Sequence, residues 1–212
     1  MKIKLLLCFV IFTLLTSCSF GIGEEESGSQ NKISIQNTNF FDTEEASKLL
    51  RHFSLSGYGN LAIEGITKED QTIEFTVEEW KEGVIQNQNV YSYTDVGDDF
   101  LGELLITLKE SEKKENVYEL KITTLYQNRG GATSSISEFD VSKIAENDSI
   151  SSFKALNSYE NEGFEEDQVA IWGYVASINS ISGRVLEQDL KSMATQVDFA
   201  IIVTMSVKTV EE

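Results

Sequence analysis

Residues 72–80 read TIEFTVEEW. Ile73, Phe75 and Val77 alternate with Glu74, Thr76 and Glu78. A period of two sends successive side chains to opposite faces, so this stretch predicts a β-strand with one dry and one wet face. Gly83 in KEGV, 81–84, marks a hairpin turn, after which Val84–Tyr93 runs back beside the first strand. The period persists further along. LGELLITLKE, 101–110, sets Leu104, Ile106 and Leu108 on one face, and polar SEKKEN, 111–116, supplies a turn. VYELKITTLYQ, 117–127, then sets Tyr118, Leu120, Ile122, Thr124 and Tyr126 on one face. From Asn60 to about Lys143 the pattern reads as an antiparallel meander. Within it NRGGATSS, 128–135, is a flexible loop and 136–144 a weaker strand.

The last third repeats the signal. QVAIWGYVASI, 168–178, is apolar on both faces, as a central strand would be. DFAIIVTMSVKTV, 198–210, alternates Phe199, Ile201, Val203, Met205 and Val207 as a final strand. Two stretches carry helical spacing instead. Ala46, Leu49, Leu50 and Phe53 predict a helix over 43–53, with Asp42 as its N-cap, Glu45 completing a capping box, and Gly57 and Gly59 ending it. Leu186, Leu190, Met193 and Val197 predict a second at about 184–195. No repeat of fixed period is present, and with no proline the turns fall to Gly, Asn, Asp and Ser. The sum is mainly β: a single domain of about eight strands and one or two short helices, an antiparallel β-sandwich or a β-rich α+β fold.

The N-terminus follows a different logic. Lys2 and Lys4 precede LLLCFVIFTLL, 5–15, a run too short to span a bilayer but suited to the core of a secretory signal. Leu15, Thr16, Ser17 and Cys18 follow. An aliphatic residue, two small residues and a cysteine after such a run resemble the bacterial lipoprotein signal. That resemblance covers residues 1–18 alone, and it implies three things. The Cys18 thiol takes a diacylglyceryl group. A peptidase cuts between Ser17 and Cys18. The mature chain starts at the lipidated cysteine and is held at the cell membrane, outside the cytoplasm, because two or more acyl chains give stable attachment. Cys8 leaves with residues 1–17, so the mature chain would have no free thiol. Residues 18–38, with Glu24–Glu26 and many Gly, Ser and Asn, then read as a tether reaching on the order of 25 Å. Residues 39–212 read as the domain.

Charge narrows the partners. The net charge is −18, and 35 acidic residues face 17 basic ones. Nucleic acid is excluded as a ligand, because its phosphates need Lys and Arg. A polybasic grip on lipid is excluded for the same reason. Size and composition, 212 residues with 41% hydrophobic content, suit one ordinary core.

Catalytic machinery is not visible. His52 is the single histidine; it sits near the end of the first helix and lacks a serine in a strand–turn–helix elbow. Acylation of Cys18 removes thiol chemistry and sulfur-based metal sites. Asp95, Asp98, Asp99 and Glu103 in DVGDDFLGE form a weak calcium candidate, since calcium favours oxygen ligands, but the spacing departs from the EF-hand loop. Glu160, Glu162, Glu165, Glu166 and Asp167 read as a solvated loop, and Glu74, Glu78 and Glu79 show strand alternation and not a hydrolytic pair. Trp80, Tyr91, Tyr93, Tyr118, Tyr126, Trp172 and Tyr174 would suit sugar stacking or an interface, yet their strand positions suit a core better. No cofactor is expected. The expectation is a non-catalytic interaction module that shows a strand edge or aromatic face to an envelope protein or wall component. The alternatives are a divalent-cation-dependent domain and an envelope hydrolase.

Overall fold

The alternating rows of the sequence become the inner faces of two stacked antiparallel sheets. The computed structural model describes residues 32–38, 44, 48, 52–66, 71–93, 99–126, 131–142, 151–156, 159–161, 168–178, 181 and 189–209. Its strands are β1 (Lys32–Asn37), β2 (Leu55–Ile66), β3 (Gln71–Lys81), β4 (Val84–Tyr93), β5 (Asp99–Glu110), β6 (Val117–Tyr126), β7 (Gly131–Asp140), β8 (Ser151–Leu156), β9 (Tyr159–Asn161), β10 (Val169–Ser177) and β11 (Phe199–Thr209). One short helix, α1 (Leu190–Ala194), precedes β11. The first sheet runs β7-β6-β5-β2-β1-β9 and the second β4-β3-β11-β10-β8. The fold is a β-sandwich. All eleven described strands lie within Asn31–Glu212, which forms one compact unit; Met1–Gln30 lies outside the described residues.

The main core holds the predicted rows: Ile73, Phe75 and Val77 of β3, Leu104, Ile106 and Leu108 of β5, Leu120 and Ile122 of β6, and Phe199 to Val207 in alternation on β11. The Trp172 indole lies in this core and donates 3.2 Å to the Tyr58 carbonyl, tying the second sheet to the first. Gly57 makes room for it, since a Cβ there would stand 3.2 Å from the Trp172 ring. A second cluster lies on the outer face of the second sheet. There Leu190, Met193 and Ala194 of α1 and Val197 cover Ala170, Val175, Ala200 and Ile202. This cover is why β10 and β11 are apolar on both faces.

Several expectations change. The stretch from Asn60 to Lys143 is not one meander: the chain leaves the first sheet after β2, forms β3 and β4 in the second, and returns for β5, β6 and β7. The domain also starts earlier than residue 39. Lys32–Asn37, assigned to the tether, pairs with both β2 and β9, and buries Ile33 and Ile35. Gly57 and Gly59 belong to β2 and do not end a helix. Residues 131–135 are strand, not loop, because β6 pairs along all of β7. The predicted helix at 43–53 lies mostly outside the described residues; Glu44, Lys48 and His52 are described as helical, and Glu44 and Lys48 form an ion pair at 2.7 Å. Of the helix at 184–195, residues 189–195 are described; among them Leu190–Ala194 is helical and Asp189 is its N-cap.

The wet face of TIEFTVEEW is also drier than its pattern implies. Glu78 is 1% exposed. Its carboxylate accepts from the Trp80 indole at 3.0 Å and from Lys191 of α1 at 3.3 Å. Lys191 also reaches the Gln168 side chain at 3.3 Å. A buried charge persists only when paired and hydrogen-bonded, so this group pins α1 to β3.

Candidate interaction flank

An open strand edge exposes a row of main-chain N–H and C=O groups that can pair with another chain, so folded sheets usually shorten or charge their edges. This sandwich has four edges on two flanks. On one flank the sheets end in β9, of three residues, and β8, of six. On the other they end in β4 and β7, of ten residues each. The Tyr91 hydroxyl of β4 shares a hydrogen bond with the Ser137 hydroxyl of β7, so these two edges stand side by side as one surface.

Composition sets this flank apart. β4, VIQNQNVYSY, has no charged residue. β7, GATSSISEFD, has only Glu138 and Asp140, both near one end. The chain as a whole is 25% charged, so the depletion belongs to this flank and not to the average surface. Val84, Ile85 and Val90 on β4 and Ile136 on β7 are exposed, Ile136 at 61%. Val84–Gln88 are exposed without interruption.

The turn that delivers β4 is tightly specified. Lys81 pairs with Val84, leaving Glu82 and Gly83 as a two-residue loop. Both have positive φ, 51° and 77°, the pattern of a type I′ hairpin. Glu82 donates its N–H to the Asp198 carbonyl at 2.9 Å, so the hairpin tip is fastened to the segment before β11.

Beside this turn the sandwich end holds a cleft of about 150 Å³, lined by Lys81, Asp140, Val141, Ile178, Asp198 and Phe199. Three of its charged side chains, Lys81, Asp140 and Asp198, are already engaged. Lys81 pairs with Glu79 at 2.8 Å. Asp198 accepts from the Ser177 hydroxyl at 2.7 Å and the Ile178 N–H at 2.8 Å. Asp140 is held below the ordinary carboxylate range, first by the Ser142 hydroxyl, then by the Ser142 N–H. These carboxylates fasten loops, and the cleft reads as the closed end of the sandwich.

The other sequence candidates do not converge. Cys18 and Ser17 lie outside the described residues, as do Asp95, Asp98, Glu162, Glu165, Glu166 and Asp167. Asp99 and Glu103 stand four residues apart on β5, about 13 Å along the strand, too far to share one ion. Glu160 is in β9. Among the described residues no three His, Cys, Asp or Glu side chains are grouped to hold a metal. Glu78 and Glu79 point to opposite faces of β3: Glu78 stands beside Ile202 of the outer cluster and Glu79 beside Ile201 of the main core. His52 is exposed and packs edge-on against the Phe53 ring at 5.2 Å. It borders a second hollow of about 600 Å³ with Ser54, Ser56, Lys109 and Glu110.

The aromatics mostly enter the core. Trp172 and Tyr174 are buried, and Tyr118 meets Tyr174 edge-on at 5.8 Å. Tyr91 packs against the main core and Trp80 against the outer cluster. The side chains of Tyr93 and Tyr126 lie outside the described set. The uncharged run of β4 is visible in the sequence, whereas its position at an edge depends on long-range pairing. No described helix is long and apolar enough to cross a membrane. Compared with known proteins, the chain matches no family model and no curated protein.

Proposed function

We propose that the protein is an exported lipoprotein, held to the cell membrane through acyl groups on Cys18 and facing outside the cytoplasm, whose sandwich acts by binding and not by catalysis. The observation that supports this reading best is the β4 edge: ten residues long, without charge, and exposed at Val84–Gln88 and Val90. Main-chain groups along such an edge accept an added strand, and alternate side chains select it. Of the two surfaces expected from the sequence, the aromatic face is the weaker candidate, since Trp172 and Tyr174 are buried. The strand edge remains.

A photo-crosslinking residue at Gln88, compared with one at exposed Glu64 on the face of β2, tests the binding reading in intact cells. One discrete adduct from Gln88 and none from Glu64 is expected. No adduct at Gln88, or the same products from both positions, overturns strand addition. For the anchor, Cys18→Ala should release the protein from the membrane fraction or leave residues 1–17 uncut. Normal processing with retention would refute lipidation.

A further inference from the structure

We infer that the strand added to this flank comes from a second copy of the chain; the inference rests on the strand-addition reading above. Geometry is the first argument. β4 and β7 end different sheets but share one flank, joined through Tyr91 and Ser137. A two-fold axis perpendicular to the sheets would therefore continue both at once, β4 antiparallel to its copy and β7 antiparallel to its copy. A closed, isologous dimer results, in which each surface is its own complement.

Side-chain chemistry is the second argument. On a two-fold axis a residue meets its own copy, and positions equally far to either side meet each other, so a charged residue on the axis faces a like charge, which is destabilising. Amides and hydroxyls escape this conflict, because each both donates and accepts. β4 carries Gln86, Asn87, Gln88 and Asn89 in succession, next to Val90, and the middle of β7 is Ser134, Ser135, Ile136 and Ser137. The two acids of β7, Glu138 and Asp140, lie towards one end. A basic foreign strand would gain nothing from an uncharged edge, whereas a second copy of a chain at −18 requires one.

The area is adequate. Ten-residue strands are about 33 Å long, and two sheets about 10 Å apart with their outer side chains give a footprint on the order of 600 Å² per partner. The pair then buries roughly 1,200 Å², the lower limit of specific interfaces.

The predicted dimer carries a distinctive salt response. Two acidic bodies repel across the rest of their surfaces, and salt screens that repulsion. Sedimentation of the Asn31–Glu212 unit should show a species of twice the monomer mass. Its dissociation constant should fall roughly tenfold between about 0.05 M and about 0.5 M NaCl. Asn87→Lys with Asn89→Lys should abolish the dimer while leaving the far-ultraviolet spectrum unchanged. In the full-length chain in membranes, Gln88→Cys should oxidise to a covalent species of twice the mass, and Glu64→Cys should not. A monomer at every salt concentration with no Gln88→Cys dimer overturns the inference. A dimer indifferent to the two lysines overturns it as well. If the Gln88 photo-adduct then has a mass other than twice the chain, strand addition stands and self-pairing falls; if there is no adduct, both fall.

Discussion

On one flank of the sandwich the sheets finish in strands of three and six residues; on the other they finish in strands of ten. The short edges lie next to strands with buried side chains. β9 borders β1, where Ile33 and Ile35 are buried, and β8 borders β10, buried along nearly its whole length. The long edge β4 likewise borders a buried strand, β3, and what marks it is its own exposure. Along β4, Val84–Gln88 are exposed, and Val90 is 55% exposed. On the reading proposed above, association belongs to the long-edged flank, where the strands are long and β4 is exposed along Val84–Gln88.

The largest effect should come from the short-edged flank. Ile35→Ala on β1 should cost about 3 kcal/mol in urea unfolding, because a fully buried side chain leaves a cavity. Val90→Ala on β4 should stay within about 0.5 kcal/mol. Equal costs would break the contrast between the flanks.

Next comes the turn that holds β4. Gly83→Ala should cost about 2 kcal/mol, since φ is strained for a residue with a side chain. The added Cβ would also stand 2.6 Å from the Thr195 carbonyl oxygen. Hydrogen exchange should quicken first along β4. Uniform quickening across both flanks would show that the hairpin tip supports the whole sandwich.

A smaller effect concerns α1, which packs on β10 and β11, nearer the short-edged flank. Asp189 caps it, accepting 3.0 Å from the Ser192 N–H. The Ser192 hydroxyl, and then its N–H, hold the Asp189 carboxyl below the ordinary range. Asp189→Ala should cost about 1 kcal/mol at neutral pH. The folded pKa lies below the unfolded one, so this contribution is complete above about pH 4 and fades as pH falls through the folded value. Wild type and variant should therefore converge in acid; a constant gap would assign the loss to packing.

Smallest of all, Asn87→Lys should change unfolding stability by less than about 0.5 kcal/mol, as an exposed edge substitution does. Its effect should appear in association alone. A large loss of stability would mean that β4 contributes to the fold as β1 does.

Much of the sandwich was legible before folding. The rows Ile73–Val77, Leu104–Leu108 and Phe199–Val207 have period two over enough residues to outweigh their polar neighbours, and all three face the main core. β1 was not legible, because Ile33 and Ile35 are only two apolar residues among Lys, Ser, Gln and Asn. β8 and β9 were hidden by their short, mixed sequences, and the first half of β7 by its Gly and Ser content, whereas its second half falls within the predicted strand at 136–144. Of the calcium candidate, Asp99 and Glu103 lie on an extended strand, which separates them along its length, while Asp95 and Asp98 lie outside the described residues.

By itself, the sequence determined the β class, the inward rows, the Gly83 turn and the uncharged run of β4. These follow from the period of side chains along an extended backbone and from turn stereochemistry, which neighbouring residues dictate. Tertiary structure alone decided which strands are central and which are edges. β3 pairs with β11 across most of the chain, and Glu78 becomes buried because Lys191 and Trp80 meet it there. No local period encodes those pairings; they arise from burying the rows of two sheets against each other, and that packing leaves β4 at the edge.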